Sequence, residues 1–355
     1  MKKKILFTTV HPAPYIDRII DYLSVEYCFT VLYNYRNNNY KQWKHYQCYE
    51  GKCFSDLSFL SLIRYVCDSD FVIVGGWGSW NCIKLILLTK MLKKRVAVFS
   101  DCPCVPNKRS LKYRFKRYIL FPLLDYLFCA TDTTSQLYHE YYGVKNDKMI
   151  FFPYAIDFPV ENQSNQMMKL RISQLLGGEL LKIFIANNFY ERKGYHVILN
   201  AFKYLADWGI LNKFQITIAG VGEEAEYYKN ELSKLSSSIV FLGWLEVDEY
   251  CNYMNQADIY IHASLHEPFG IPPLDAMIRG KCVIVSNEVQ STNSLIENGI
   301  NGYKYPALSA EKLAELLKNI DIEKMYEIGL NAQKSVAQKY SYQIYLDALH
   351  GICPN

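Results

Sequence analysis

Short apolar runs alternate with longer amphipathic stretches along most of the chain. The apolar runs are ILFTTV, FVIVGG, VAVFS, YLFCA and MIFFPYA in the first half, and KIFIAN, FQITIAG, IVFLG, DIYIHA and KCVIVS in the second. Patterns with helical spacing, such as YIDRIIDYLSV and YHVILNAFKYLADWG, lie between them. Continuous apolar strands that alternate with helices are typical of parallel sheets covered on both faces. The pattern therefore predicts an α/β protein with doubly wound sheets.

The alternation is interrupted near residues 158–178, which are polar and irregular in pattern. A chain of 355 residues is also long enough for two domains. We therefore predict Rossmann-like domains over residues 1–165 and 178–335, and a helical segment over 336–355 that packs back on the N-terminal domain. Ligands of open parallel sheets bind beyond the carboxyl ends of the strands. If the two sheets face each other, the expected ligand site is the cleft between them.

The composition is that of an ordinary globular protein and places few limits on function. Half of the residues are hydrophobic and 21% are charged, which excludes a disordered chain. The net charge of +4 does not by itself indicate nucleic acid binding. The eleven cysteines form no Cys-x-x-Cys pair, so reduced and mostly buried thiols are expected. The basic N-terminus precedes an apolar run that is too short for a signal peptide, and a cytoplasmic protein is predicted.

A pair of cations follows the first strand of the second half. Arg192 and Lys193 lie in a loop between the strand and a helix, with Gly194 just before the helix. Cations at such a strand end, beside a helix N-terminus, suit an anionic ligand. Solvated loop charges explain this segment equally well.

The segment HEPFGIPPLDAM, residues 266–277, carries two carboxylates around a Gly-Pro turn. Glu267 lies in the loop at a strand end, and Gly270 precedes a helix that begins near Pro272. Asp275 lies in the first turns of that helix, whose N-terminus can bind phosphate. One of the two carboxylates can then reach the part of the ligand beyond the phosphate, and the other can accept two hydroxyls, as carboxylates commonly do for a ribose. Interaction with the helix dipole alone would also explain Asp275, but it does not explain Glu267 in an apolar loop.

Five motifs in this order resemble the retaining glycosyltransferases of family 4, also called group 1 glycosyltransferases, which have the GT-B fold. The motifs are RKGYHVILNAFKYL, ITIAGVGEE, IVFLGWL, ADIYIHASLHEPFGIPPLDAMIRGKCVIVS and LIENGINGYKY. The resemblance implies a transferase of the hexosyltransferase type (EC 2.4) that moves a sugar from a nucleotide diphosphate sugar, either UDP- or GDP-linked, to a hydroxyl. It also implies that no metal or cofactor is needed, and it suggests a role in bacterial surface polysaccharide or glycolipid synthesis.

By position, the resemblance assigns donor contacts to the second domain. Lys193 is identified as the diphosphate lysine, and Glu267 as the carboxylate beside the donor sugar. Asn188 occupies the position of a family arginine, so Arg192 is a candidate to replace that charge. Asp275 stands where the family has a ribose-binding glutamate, one methylene longer. The remaining assignments are the phosphate-binding backbone of Phe269, Gly270 and Ile271, and the base-bordering residues Gly243, Trp244 and Leu245.

The resemblance assigns the acceptor, either a carbohydrate or a lipid-linked molecule, to the first domain. Asp101, after the strand RVAVFS, is a candidate to orient or deprotonate the acceptor hydroxyl. A turn-forming or helix-capping aspartate is the alternative. His11 follows the first strand, and Gly76 and Trp77 follow the strand FVIV, where they are candidates to line the acceptor side. An ordinary turn explains Gly76 and Trp77 as well.

Residues 108–117 contain six Lys or Arg residues interleaved with aromatic ones. Such a stretch can contact an anionic membrane surface, which would make the protein peripheral on the inner face of the plasma membrane. A solvated helix face is the alternative, and no nucleic acid partner is predicted because the chain has no nucleic-acid-binding module. Two rival functions also remain: another GT-B activity such as sugar-nucleotide epimerisation, and a nucleotide-sugar-binding protein without catalysis.

Overall fold

A computed structural model of the protein shows two compact units along the chain. The first contains Met1–Ala155 and Tyr340–Asn355, and the second contains Ile156–Lys339. The residues that the structure describes are 2–34, 49–103, 105–156 and 165–353.

Each unit is built on a parallel sheet. The strands are β1 (Lys3–Thr9), β2 (Tyr27–Tyr33), β3 (Glu50–Cys53), β4 (Phe71–Val74), β5 (Arg95–Ser100), β6 (Tyr126–Cys129), β7 (Met149–Phe151), β8 (Leu181–Ala186), β9 (Phe214–Ala219), β10 (Ile239–Gly243), β11 (Ile259–His262), β12 (Cys282–Ser286) and β13 (Tyr303–Tyr305). The strand order is β3-β2-β1-β4-β5-β6-β7 in the first unit and β10-β9-β8-β11-β12-β13 in the second. All these strands pair in parallel, which confirms the predicted α/β class.

Helices connect the strands and cover the sheets. They are α1 (Pro14–Leu23), α2 (Phe59–Asp68), α3 (Trp80–Met91), α4 (Leu111–Phe115), α5 (Phe121–Leu123), α6 (Asp132–Tyr142), α7 (Asn165–Leu176), α8 (Tyr195–Asp207), α9 (Ala225–Ser233), α10 (Val247–Gln256), α11 (Ile271–Ile278), α12 (Gln290–Asn293), α13 (Ala310–Lys318), α14 (Ile322–Lys339) and α15 (Gln343–Ile352). A π-helical turn, Lys116–Leu120, joins α4 to α5.

Local sequence explains where these elements begin. All four residues of β4 are buried, as expected for a central strand with helices on both faces. Ser79 and Ser110 precede α3 and α4, and the hydroxyl of each accepts a hydrogen bond from a backbone N–H of the first turn. These contacts satisfy donors that a helix cannot satisfy internally.

Helix α7 lies where the sequence pattern suggests an irregular connection, so that expectation is wrong for residues 165–176. Arg171 fixes this helix because its guanidinium donates two hydrogen bonds to Asp258, at 2.9 and 2.7 Å. Leu175 adds a buried contact with the core of the second unit. Residues 157–164 lie outside the described part of the chain.

The C-terminal helix α15 packs on the first unit. The Tyr22 hydroxyl donates to Gln343 at 3.3 Å, and the Tyr27 hydroxyl donates to the carbonyl of Cys353 at 3.3 Å. Phe152, just after β7, contacts the ring of Tyr345 at 5.0 Å between centroids. The chain therefore returns to its first unit after α14.

Two further sequence expectations concern the cysteines and membrane spans. All nine cysteines within the described residues are free thiols, and five of them are buried. Across the described ranges, no helix is both long enough and apolar enough to cross a bilayer.

Gly194 permits the close approach of two loops in the second unit. Its φ is +71°, and a Cβ there would lie 2.0 Å from the carbonyl oxygen of Ala263, beyond the end of β11. Gly209 has nearly the same φ, +70°, but a Cβ there would meet nothing within 4 Å. The two glycines therefore share a left-handed backbone, and only Gly194 also lacks space for a side chain.

We expect Gly194→Ala to destabilise the protein more than Gly209→Ala. Left-handed backbone strain should cost about 1 kcal/mol in both variants. The contact with Ala263 should raise the total for Gly194→Ala to roughly 3 kcal/mol or more, because backbone must move. Urea unfolding of both variants measures the difference. Equal losses would show that the loops do not need this close approach.

Candidate functional site

The side chains predicted to bind the donor collect at the carboxyl edge of the second sheet. Strands β8, β11 and β12 are neighbours in that sheet, and the loops that follow them supply most of these residues. Because the strands are parallel, their carboxyl ends share one edge. Loops that are distant in sequence are therefore brought together there.

Glu267 is held by its backbone as well as by its side chain. Its N–H donates to the carbonyl of Glu288 at 3.1 Å, and its own carbonyl accepts from the N–H of Gln290 at 3.1 Å. Its side chain is largely buried, with 12% exposed. These bonds tie the loop after β11 to the segment after β12 and fix where the carboxylate points.

The Glu267 carboxylate has two different sides. Its Oε2 accepts a hydrogen bond from the ammonium of Lys193 and another from the hydroxyl of Ser264 at 3.2 Å, and it lies 3.2 Å from His262 Nε2. Its Oε1 lies 3.9 Å from the guanidinium of Arg192. One oxygen is thus occupied by protein donors, while the other faces a more exposed cation.

These contacts determine the charge of each group. Burial raises the pKa of Glu267, but His262 and Lys193 lower it by more, so the net pKa lies well below the ordinary value. Burial lowers the pKa of Lys193, and Glu267 opposes that effect. We conclude that Glu267 is ionised at neutral pH and that Lys193 is its counterion.

Burial also lowers the pKa of His262, which is therefore neutral at neutral pH. Its Nδ1 lies 3.2 Å from the Asn187 amide nitrogen and 3.2 Å from the Tyr260 hydroxyl, both of which can donate. Its Nε2 then carries the proton and donates to Glu267. This arrangement makes His262 a neutral positioning group for the carboxylate.

Sequence reasoning missed His262 and Asn187. His262 ends the otherwise apolar strand DIYIHA, and a polar residue at the carboxyl end of a buried strand was the available signal. Asn187 adjoins Asn188, the position highlighted by the resemblance, but it is the side chain of Asn187 that contacts His262. Asn188 contributes its carbonyl to the N–H of Tyr190 at 3.0 Å.

Helix α11 begins at Ile271, with Gly270 before it at a φ of +94°. A Cβ on Gly270 would lie 2.7 Å from Val289 and 3.1 Å from Cγ of Glu267. Pro272 follows, and with a second proline after it the first turn loses two N–H donors. An anion at this end would therefore meet the N–H groups of Gly270 and Ile271, and nearby cations would carry more of the binding.

Asp275 belongs to a separate hydrogen-bond group within the same unit. It lies in α11, is 5% exposed, and accepts a hydrogen bond from the Tyr250 hydroxyl at 3.2 Å. Burial, followed by the charge of Asp275, raises the pKa of Tyr250 well above its ordinary value, so the phenol remains a donor. A simple dipole contact at the helix N-terminus does not describe this buried carboxylate.

The remaining residues predicted to contact the donor substrate also lie in the second unit. The buried Phe269 anchors its loop, and its carbonyl accepts from the N–H of Ser291 at 3.0 Å. Gly243 ends β10, the edge strand, which β9 separates from β8, and Trp244 and Leu245 follow it. The carbonyl of Gly243 accepts from the N–H of Gly220 at 2.7 Å.

In the first unit, Asp101 follows β5 and accepts a hydrogen bond from the hydroxyl of Tyr154. The ring of Tyr154 packs against Tyr15 at 4.9 Å between centroids. Burial, followed by the charge of Asp101, raises the pKa of Tyr154. The alternative that Asp101 caps a helix is wrong, because α4 begins ten residues later behind Ser110.

The other predicted acceptor residues follow neighbouring strands of the first sheet. His11 lies after β1, and Gly76 and Trp77 lie after β4. Trp77 packs edge-on against Phe121 and Tyr138, at 4.8 and 5.4 Å between ring centroids. Trp77 therefore also packs within the helix layer of this unit. In the portion of the chain that the structure describes, no group of three or more His, Cys, Asp or Glu side chains is placed to hold a metal ion.

Comparison with known proteins relates this site to a family. Residues 168–333 match the family model described as "Glycosyl transferases group 1". A mannosylfructose-phosphate synthase of Agrobacterium fabrum is 23% identical over 54% of this chain and 45% of its own length. A poly(glycerol-phosphate) alpha-glucosyltransferase of Bacillus subtilis is 22% identical over 67% of this chain and 32% of its own length. The chain thus spans half or less of these two curated relatives.

A solved structure matches nearly the whole chain. The crystal structure of Anabaena HepE in complex with UDP and glucose aligns with a TM-score of 0.74 at 16% identity, over 99% of each chain. At that identity the likeness establishes the fold, and it confirms the predicted GT-B class. Within the second unit, residues 168–333 are similar to the group 1 glycosyl transferases, and the chain as a whole has their GT-B fold.

Proposed function

We propose that this chain transfers a sugar from a nucleotide diphosphate sugar to a hydroxyl group with retention of the anomeric configuration. The observation that carries this proposal is the buried contact between Lys193 and Glu267 beside the N-terminus of α11, inside the segment that matches the family. The bond from the anomeric carbon to the diphosphate oxygen breaks, a bond to the acceptor oxygen forms, and the acceptor proton leaves with the diphosphate.

The charges of Lys193 and Glu267 suit the two groups that the breaking bond joins, the diphosphate and the sugar. Lys193 has three N–H donors and gives one to Glu267, so it can also donate to a diphosphate oxygen. Negative charge grows on that diphosphate as the bond breaks, and fixed cations stabilise it. The ionised Glu267 stabilises the positive charge that grows on the sugar ring. A hexosyl group is the proposed cargo, and no metal or cofactor is proposed.

Arg192 is the proposed second cation. Its side chain is 53% exposed and lies beside Glu267, so a ligand can reach it. The family arginine is replaced by Asn188, which can donate a hydrogen bond but carries no charge. The two prolines at the start of α11 reduce the number of N–H groups available to phosphate, so a second cation would contribute more to phosphate binding.

The nucleotide is proposed to lie beyond the phosphate-binding residues. Asp275 would accept the ribose hydroxyls, and residues 243–245 would border the base. The HepE structure was solved with UDP, which supports a uridine nucleotide, while a guanosine nucleotide is the other candidate. Loss of catalysis with binding retained is the rival function, and the replacement of glutamate by Asp275 is the feature that favours it.

The first unit is proposed to bind the acceptor, with Asp101, His11, Gly76 and Trp77 on the acceptor side. The Bacillus relative is named for a glucosyltransferase acting on poly(glycerol-phosphate), which supports a role in surface polymer or glycolipid synthesis. We propose a peripheral protein on the cytoplasmic face of the plasma membrane, with residues 108–117 contacting anionic lipids.

We expect Glu267→Gln to lower the rate of sugar transfer or donor hydrolysis by about 100- to 1,000-fold, because the ring charge loses its counterion. UDP binding should be retained or become tighter, because Lys193 and Arg192 lose their carboxylate partner and can contact the diphosphate instead. A thermal-shift panel of nucleotide sugars first identifies the donor. Steady-state kinetics and UDP titration then separate catalysis from binding.

Glu297→Gln is the matched control, because Glu297 is exposed in the same unit. It should leave both measurements unchanged. Full activity of Glu267→Gln would remove the catalytic assignment. If the unaltered protein binds UDP but turns over no donor, it is the inactive binder.

We expect Arg192→Gln to weaken UDP binding by about ten- to a hundredfold while uridine binding stays the same. A charge-assisted hydrogen bond to the diphosphate would be lost, and uridine has no diphosphate. Asn188→Ala is the comparison, with a smaller expected effect on UDP. Calorimetric titration of both ligands measures this, and an equal loss for UDP and uridine would argue against a diphosphate contact.

We expect His262 to make the protein less stable as the pH falls from 7.5 to 5.5. Its pKa is lower folded than unfolded, so the unfolded state binds more protons below about pH 6.5, and stability falls there. His262→Gln should lose less stability over this range. His266→Gln, at an exposed position four residues away, is the control. Urea unfolding at both pH values measures the effect, and an unchanged pH dependence in His262→Gln would contradict it.

A further inference from the structure

The positive charge of this chain is concentrated in one part of the first unit. Residues 71–124 contain eleven Lys or Arg residues and a single acidic residue, Asp101. Their net charge is +10, and the rest of the chain carries −6. The modest total of +4 therefore conceals a strongly basic segment, which includes α3, α4 and α5.

These helices form one layer on one face of the first sheet. Buried residues of α3, such as Leu85 and Ile86, share a core cluster with Phe121 of α5. Val72 and Val74 of β4 supply part of the sheet surface beneath them. The outer surfaces of the helices consequently belong to a single side of the unit.

The outer surface of α3 is apolar where a helix that faces water should be polar. The exposed residues of α3 are Trp80, Lys84, Leu87 and Met91. Their spacing places all four on one stripe, and Trp80 and Met91 are 74% and 79% exposed. By contrast, the exposed residues of α13 in the second unit are Glu311, Lys312 and Lys318.

The same combination of apolar and basic side chains continues across α4 and the π-helical turn. Leu111, Tyr118 and Ile119 are 80%, 67% and 51% exposed. Four of the six basic residues of the 108–117 stretch are also exposed: Lys108, Arg109, Lys112 and Arg114.

The other two basic residues of that stretch interact with the protein itself. Arg117 donates to the carbonyl of Tyr141 at 2.6 Å, and the Lys116 ammonium lies 5.4 Å from the centroid of the Trp77 ring. They are therefore less suited to contact a partner than the four exposed residues.

We propose that the outer surface of α3, α4 and the π-helical turn docks on an anionic membrane and inserts its apolar side chains into it. Anionic headgroups attract exposed Lys and Arg, and tryptophan and tyrosine favour the membrane interface. A second copy of the chain is a poorer occupant, because a symmetric contact would bring two surfaces of like charge together. This inference deepens the proposed membrane contact, but it does not depend on the donor site.

The test is co-sedimentation of the 355-residue chain with vesicles of phosphatidylcholine, with and without phosphatidylglycerol, at low and high salt. Lys108→Gln/Lys112→Gln/Arg114→Gln should weaken binding to the anionic vesicles on the order of a hundredfold at low salt. Its matched control, Lys234→Gln/Lys312→Gln/Lys324→Gln, removes three exposed charges from the second unit and should bind like the unaltered protein.

Trp80→Gln/Leu87→Gln/Met91→Gln tests insertion separately. It should weaken binding at least tenfold and abolish the part of the binding that survives high salt, since burial of apolar surface is not screened. Its control is Tyr227→Gln/Ile300→Gln/Leu308→Gln, at exposed apolar positions of the second unit.

The surface assignment is wrong if the unaltered protein binds neither kind of vesicle, or if the α3 variant binds like its control. It is also wrong if the α3 variant changes only the molecular mass in solution, because the surface would then contact a second copy. UDP titration of every variant without vesicles keeps the two proposals apart. Retained UDP binding with lost vesicle binding supports the surface, while vesicle binding without UDP binding would remove the donor-site proposal alone.

Discussion

The buried contact between Lys193 and Glu267 is the interaction on which the site of the second unit depends. Each charge alone would cost several kcal/mol in this buried place, so each side chain requires the other. The two loops that carry them follow β8 and β11, and the N–H of Leu265 donates to the carbonyl of Arg192 at 2.8 Å. Gly194 lets those loops approach closely enough for this bond. The ion pair between Lys193 and Glu267 therefore depends on this arrangement of the two loop backbones.

The ion pair also depends on His262 being neutral. A charged imidazole beside Lys193 would add a second buried cation on the same carboxylate oxygen. Burial keeps His262 neutral, so it can donate to Glu267 without changing the net charge. Three protein donors around Oε2 hold the carboxylate in one orientation, and Oε1 is left toward Arg192. Such fixed polar groups need no reorganisation when charge develops on a ligand.

The sequence predicts the sheets well and singles out Lys193 and Glu267 at strand ends, because both features are expressed in local patterns, but it does not predict that these two side chains pair. Continuous apolar runs predicted the parallel strands, and Lys193 and Glu267 were identified as candidate site residues in the loops that follow them. Asn187 and His262 were missed because their contact joins positions 75 residues apart, and a histidine in an apolar strand resembles a core residue. Helix α7 was missed for a similar reason, since Arg171 holds it through the distant Asp258.

The basic surface of the first unit illustrates a limit of a different kind. A helix that is apolar over most of its surface, such as α3, is normally read from sequence as buried. Sequence periodicity cannot distinguish a helix covered on both sides from one whose outer stripe faces solvent. Only the three-dimensional layer shows that Trp80 and Met91 are uncovered. The excess of Lys and Arg around them favours a membrane over the apolar core of another protein as the partner, because such a core would exclude those charges.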